Sequence, residues 1–207
     1  MTKQTTTSQR WLLAYVLFCI VNIIAEYLQL TWLIFVTKPA LMVLLCLWFY
    51  GQTKTNFTPF AKAILFGLFC SIFGDSFLML VENDAGGELF FLLGLGSFLL
   101  THICYFVAFL RYPSDNQGFI SKHKWLIFPF LLFFLGNTYL LWPGVPIDMK
   151  IPVIIYSSVI VLMAISALHL RTKISTKAWQ ALFFGVLLFV VSDTILSLIH
   201  ISSPRDS

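Results

Sequence analysis

Two aspartates stand where a membrane-length apolar stretch normally carries no charge, and they stand in matching frames. Asp75 lies inside the run from Ala61 to Val81, within Phe73-Gly74-Asp75-Ser76, and Asp193 lies inside the run from Trp179 to Ile199, within Ser192-Asp193-Thr194. A carboxylate near the centre of such a segment costs about 3 kcal/mol to insert, so it faces a partner or a wet cavity rather than lipid. Ala63, Phe66, Gly67 and Asp75 recur 118 residues later as Ala181, Phe184, Gly185 and Asp193. The flanks repeat too, as small residue, Asp, hydroxyl residue. Two aspartates in one local frame predict a duplicated scaffold with a shared site between its halves. Two carboxyls, one protonated and one ionised, can deliver a proton and then stabilise a cation or activate water.

The elements that must position them are membrane helices. The chain has 207 residues, 59% hydrophobic and 11% charged, with a mean hydropathy of +0.89, whereas a soluble domain carries about a quarter charged residues. The expected fold is all-α, a polytopic transmembrane helix bundle with no room for a separate soluble domain. Apolar runs at roughly 11–27, 30–50, 61–81, 89–110, 125–142, 151–170 and 179–199 predict seven helices, the first and fifth short. The breaks fall at Gly51 to Pro59, Asn83 to Gly87, Pro113 to Gly118 and Pro143-Gly144-Val145-Pro146, residues that punctuate helices.

Charge fixes the expected orientation. Lys3, Arg10, Lys54, Lys62, Arg111, Lys122, Lys124, Arg171, Lys173 and Lys177 fall on one side; the opposite loops hold Lys150 and the acidic group Glu82, Asp84 and Glu88. The positive-inside rule then places the N-terminus in the cytoplasm of a multi-pass inner or plasma membrane protein. The net charge of +4 is a topology signal and does not point to nucleic acid. Two parallel four-helix repeats predict an eighth helix. Instead the chain ends in Leu196-Ser197-Leu198-Ile199-His200-Ile201-Ser202-Ser203-Pro204-Arg205-Asp206-Ser207, which resembles a frame-shifted translation of a transposon-end sequencing adapter. Residues 1–195 are therefore expected to be a single transmembrane domain and 196–207 a sequencing or cloning scar, or else a polar tail, with the eighth helix lost.

Counting depth along the helices brings further polar groups to one level. Asp75 and Asp193 each lie fourteen residues into an outward-running helix, about 21 Å from the cytoplasmic edge of a core about 30 Å thick. Lys38, eight residues into an inward-running helix and followed by Pro39, reaches a similar level, as do Tyr156, Asn22 and Asn137. Asn and Ser alone would read as interhelical hydrogen-bond partners. Two aspartates and a lysine read as a site. Lys38 is expected to hold one Asp ionised, ahead of binding a phosphate or forming a Schiff base.

Other residues carry weaker signals. His102 and Tyr105 share a face of the fourth helix beside the small residues Gly94, Ser97 and Thr101. Packing accounts for that stripe, and His102 reads as a hydrogen-bonded core histidine. No metal and no cofactor are expected, since a zinc site needs three or four converging ligands. Cys19, Cys46, Cys70 and Cys104 all fall within apolar spans without CxxC spacing, as buried thiols do. No GxSxG, Walker or HExxH pattern occurs, which removes the motif-based hydrolase and nucleotide readings.

Thr37-Lys38-Pro39, Phe73-Gly74-Asp75, Phe91-Leu92-Leu93-Gly94-Leu95-Gly96-Ser97-Phe98 with His102 and Tyr105, and Phe189-Val190-Val191-Ser192-Asp193 together resemble the YhhN-like lysoplasmalogenase family. The resemblance spans nearly the whole chain. It implies an eight-helix membrane hydrolase that cleaves the vinyl-ether bond of lysoplasmalogens, a lysophospholipid substrate, to a fatty aldehyde and glycerophosphoethanolamine or glycerophosphocholine. It also implies that Asp75 and Asp193 are the acid–base pair. The polar layer and the fourth helix, read from the residues themselves, add Lys38, Asn22, His102, Tyr105, Asn137 and Tyr156 as candidate substrate-binding or electrostatic residues. The rival readings are a ceramidase-like lipid hydrolase, distinguished by metal dependence, and a small transporter, which would show broken helices in both halves.

Overall fold

Helix accounts for nearly every position in a computed structural model that describes residues 2–82 and 87–202. Asp84 of the acidic loop and the tail residues Ser203 to Ser207 lie outside the described residues. In chain order the helices are α1 (Thr2–Tyr27), α2 (Thr31–Thr53), α3 (Pro59–Glu82), α4 (Gly87–Leu110), α5 (Phe119–Lys122), α6 (Ile127–Leu141), α7 (Lys150–His169) and α8 (Thr176–Ser202). Seven are long, as the apolar runs predict. Among the described residues six stretches are long and apolar enough to cross a membrane, and the apolar part of α1, Trp11–Tyr27, is shorter. Leu12, Ile23, Ile151 and Leu188 are all more than three-fifths exposed. A surface this apolar has lipid as its solvent, and helices satisfy the backbone there without water. This is an integral membrane protein.

Two hydroxyls of the spans bond back within their own helices. Ser76 donates to the Ile72 carbonyl at 2.7 Å and Thr194 to the Val190 carbonyl at 2.8 Å. These are the residues that follow the two aspartates, so the repeated small-Asp-hydroxyl pattern is repeated in hydrogen bonding as well. Both hydroxyls are turned back along the helix. α2 runs unbroken through Pro39, which lacks the N–H that would reach the Phe35 carbonyl.

The chain forms two compact units, Met1–Cys104 and Tyr105–Ser207, divided within the last helix of the first four-helix repeat expected from the sequence. In the first unit, α3 and α4 approach closely. Thr101 of α4 donates to the Gly67 carbonyl of α3 at 3.0 Å. A Cβ built on Gly94 would lie 2.9 Å from the Leu78 side chain, and one on Gly74 would lie 2.7 Å from the Phe98 ring. Gly94 and Thr101 of the α4 stripe thus pack against α3, as read from the sequence.

In the second unit α7 carries the core, with Tyr156, Ile160, Met163, Ala164 and Ala167 buried. The short helix α5 has no signature in the apolar runs because tertiary contacts make it. Ile120 is buried, and a Cβ on Gly118 would strike the His169 ring. The Thr172 hydroxyl donates to the Gln117 carbonyl at 2.7 Å, and the Arg171 guanidinium lies 4.4 Å from the Phe119 ring centroid and 5.3 Å from that of Trp179.

The expected orientation can be tested at two exposed positions of this unit, Asp148 and Ser121. In a background lacking the four native cysteines, a membrane-impermeant thiol reagent applied to intact cells is expected to label Asp148→Cys and spare Ser121→Cys. The reverse pattern overturns a cytoplasmic N-terminus.

Candidate active site

The first unit places Lys38 and Asn22 through the turn between α1 and α2. The Leu30 N–H donates to the Ala25 carbonyl at 2.9 Å and the Gln29 N–H to the Glu26 carbonyl at 3.2 Å, while Gln29 adopts φ 54°. This is a Schellman ending in which Gln takes the left-handed position usually given to Gly. It folds α2 directly back on α1. The Thr37 hydroxyl, on a residue only 2% exposed, then lies 2.6 Å from Asn22 Oδ1, and Ala25 is fully buried. One residue on, Lys38 Nζ lies 3.1 Å from Glu26 Oε1. Glu26 is not among the candidates that the sequence offers. Placed near the end of an apolar run, it reads there as a boundary charge, and its partner becomes visible only once the hairpin is closed.

Asp75 sits sixteen residues into α3, half-buried. The Phe98 ring of α4 lies across the backbone of its neighbour Gly74. Four residues beyond Phe98, one turn of helix, His102 is 1% exposed and so lies in the core.

In the second unit Asp193 sits seventeen residues into α8, nearly the same register. The Tyr156 hydroxyl of α7 donates to Asp193 Oδ1 at 3.0 Å. Tyr156 is 7% exposed. Depth counting places these two residues at one level, and the structure joins them. Tyr105 stacks on Phe109, their ring centroids 6.1 Å apart. Asn137, on α6, keeps its Oδ1 enclosed and without a hydrogen-bond partner among the described residues, so no hydrogen bond joins that oxygen to the Tyr156–Asp193 pair. Among the described residues no three His, Cys, Asp or Glu side chains converge as a metal site would require.

A helical membrane chain with an aspartate in each unit, each followed by a back-bonded hydroxyl, is the background for the comparison with known proteins. A family model described as the YhhN family matches residues 33–207. The chain belongs to the YhhN family. YhhN membership supports a membrane lysoplasmalogenase-type function at the level of the family. The YhhN match includes Lys38, Asp75, His102, Tyr105, Asn137, Tyr156 and Asp193, while Asn22 and Glu26 precede it. No curated protein and no solved structure matches the chain.

Proposed function

We propose that this protein hydrolyses the vinyl-ether bond of lysoplasmalogens, with Asp75 and Asp193 as its acid–base pair. The observation that carries the reading is the repeated frame, one intramembrane carboxyl in each unit of a YhhN chain, with Asp193 held by a buried tyrosine hydroxyl. A protonated carboxyl gives its proton to the alkene carbon remote from oxygen, leaving an oxocarbenium ion at the carbon beside it. The ionised carboxyl stabilises that cation and takes a proton from the attacking water. The resulting hemiacetal collapses as its hydroxyl proton passes to the glycerol oxygen, giving one aldehyde and one glycerophospho-base for each water consumed. A low-dielectric site strengthens each charge interaction along this path.

Tyr156 acts through Asp193. Its hydrogen bond selects one orientation of the carboxyl, and a single bond of this kind contributes about 1 kcal/mol. Purified protein given a lysoplasmalogen is expected to release aldehyde and glycerophospho-base in equal amounts. Tyr156→Phe is expected to lower kcat about fivefold and leave KM nearly unchanged. Consumption of the lipid without aldehyde, or no consumption, overturns the reading. Loss of activity on chelation favours the ceramidase-like alternative. The transporter alternative lacks the broken helices it calls for, since α2 continues through Pro39 and α7 and α8 run through Tyr156 and Asp193.

A further inference from the structure

The α1–α2 hairpin carries an ion pair whose acidic member, Glu26, has no place in the acid–base step. Within the first unit, counted from the Gln29 turn, Lys38 is seven residues from the start of α2 and Glu26 is one residue from the end of α1. Rise along the helices brings Asp75 to a level similar to that of Lys38. Helical side chains lean toward their own helix N-terminus. The Asp75 carboxyl therefore leans into the bundle, whereas the long Lys38 chain leans toward the hairpin end. There its Nζ meets Glu26 Oε1 at 3.1 Å, the shorter Glu26 chain leaning inward toward it. From the interior outward the order is carboxyl, ammonium, carboxylate.

A zwitterionic lysoplasmalogen aligned with the helices presents, in the same direction, its vinyl ether, its phosphate and its ammonium. A three-carbon glycerol separates the first two. Each group would meet the charge that complements it. Lys38 and Glu26 also keep 31% and 42% of their side chains exposed, where a charge at the end of an apolar bundle needs water or a polar ligand. An ion pair this open contributes at most about 1 kcal/mol to folding, so its two charges are not needed to hold the hairpin together.

We infer that Lys38 and Glu26 form a headgroup subsite, Lys38 taking the phosphate and Glu26 the ethanolamine or choline ammonium. The subsite selects zwitterionic lysolipids over anionic ones. This rests on the reading that the substrate is a lysophospholipid, and it adds Glu26, which lies outside the family match, as a specificity-determining residue.

The test is binding of uncleavable saturated ether lipids to the purified full chain. The probes are 1-O-alkyl-glycerophosphoethanolamine, 1-O-alkyl-glycerophosphocholine and 1-O-alkyl-glycerophosphate, which has no ammonium. Glu26→Gln is expected to weaken the first two about tenfold, one charge-assisted contact, while the third holds or tightens. Lys38→Gln is expected to weaken all three. The double exchange Glu26→Lys with Lys38→Glu keeps an ion pair in the hairpin and is expected to melt like the parent, yet to lose the zwitterion preference. If Glu26→Gln weakens all three probes equally or none, or if the exchanged protein keeps the parental preference, the subsite is wrong. A wild-type protein that shows these preferences but releases no aldehyde from a lysoplasmalogen overturns the hydrolase reading and leaves the subsite standing.

Discussion

Asp75→Asn and Asp193→Asn are each expected to lower turnover of a lysoplasmalogen by at least about a hundredfold, the floor for losing a positioned acid or base. Asn keeps the size of the side chain and most of its hydrogen bonding. It cannot give up a proton to carbon, and it carries no charge to balance a cation. The double variant should be little slower than the poorer single one, because groups that act as a unit do not contribute additively. Lys38→Met should act mainly on KM. Each variant must elute and melt like the parent, since removing a buried charge can itself stabilise a bundle. A well-folded Asp75→Asn or Asp193→Asn protein with near-parental vinyl-ether hydrolysis makes that carboxylate structural and ends the two-aspartate mechanism.

A second large effect is expected on stability, at Gly74 where α3 meets α4. A Cβ there would lie 2.7 Å from Phe98 Cε2, and the three nearest atoms all belong to that one ring. The ring cannot fold away as a flexible chain would, so α4 must shift. Gly74→Ala is expected to destabilise the protein by about 1–3 kcal/mol, the range of overpacked cores. Phe98→Leu in the same chain should restore at least half of the loss, because the two positions share one contact. Thermal melting of the two single variants and the double in detergent completes the cycle. Additive effects would mean that the Gly74–Phe98 contact does not set the α3–α4 spacing.

Much of this was legible from the residues. A charge inside an apolar span is costly wherever the helix goes, so Asp75, Asp193 and Lys38 stand out before any fold is known. Tyr156 follows from counting rise along a helix, and its hydroxyl is 3.0 Å from Asp193. The apolar runs yield the seven long helices because membrane length is a one-dimensional property. What stayed hidden depends on how segments fold back on one another. Glu26 pairs with Lys38 only because Gln29 turns the chain within three residues. The helix α5 exists because Gly118 fits beneath the His169 ring, and no periodicity records that. Phe98 enters the sequence reading only as the last residue of the 91–98 stretch, and its place over Gly74 is visible only once α3 and α4 are packed.

The Gln29 turn has a consequence for how such a chain can diverge. Residues between Asn22 and Lys38 can be exchanged for others of similar character, but they can be neither added nor removed. One inserted residue beside Gln29 would rotate α2 by about 100° against α1 and raise it by about 1.5 Å. Thr37 would swing away from Asn22 and Lys38 from Glu26, so a single extra codon would undo both pairings at once. The hairpin acts as a ruler, holding length fixed even where composition drifts. Relatives that keep both pairings should keep fourteen intervening positions between Asn22 and Thr37, with an acidic residue at the position of Glu26.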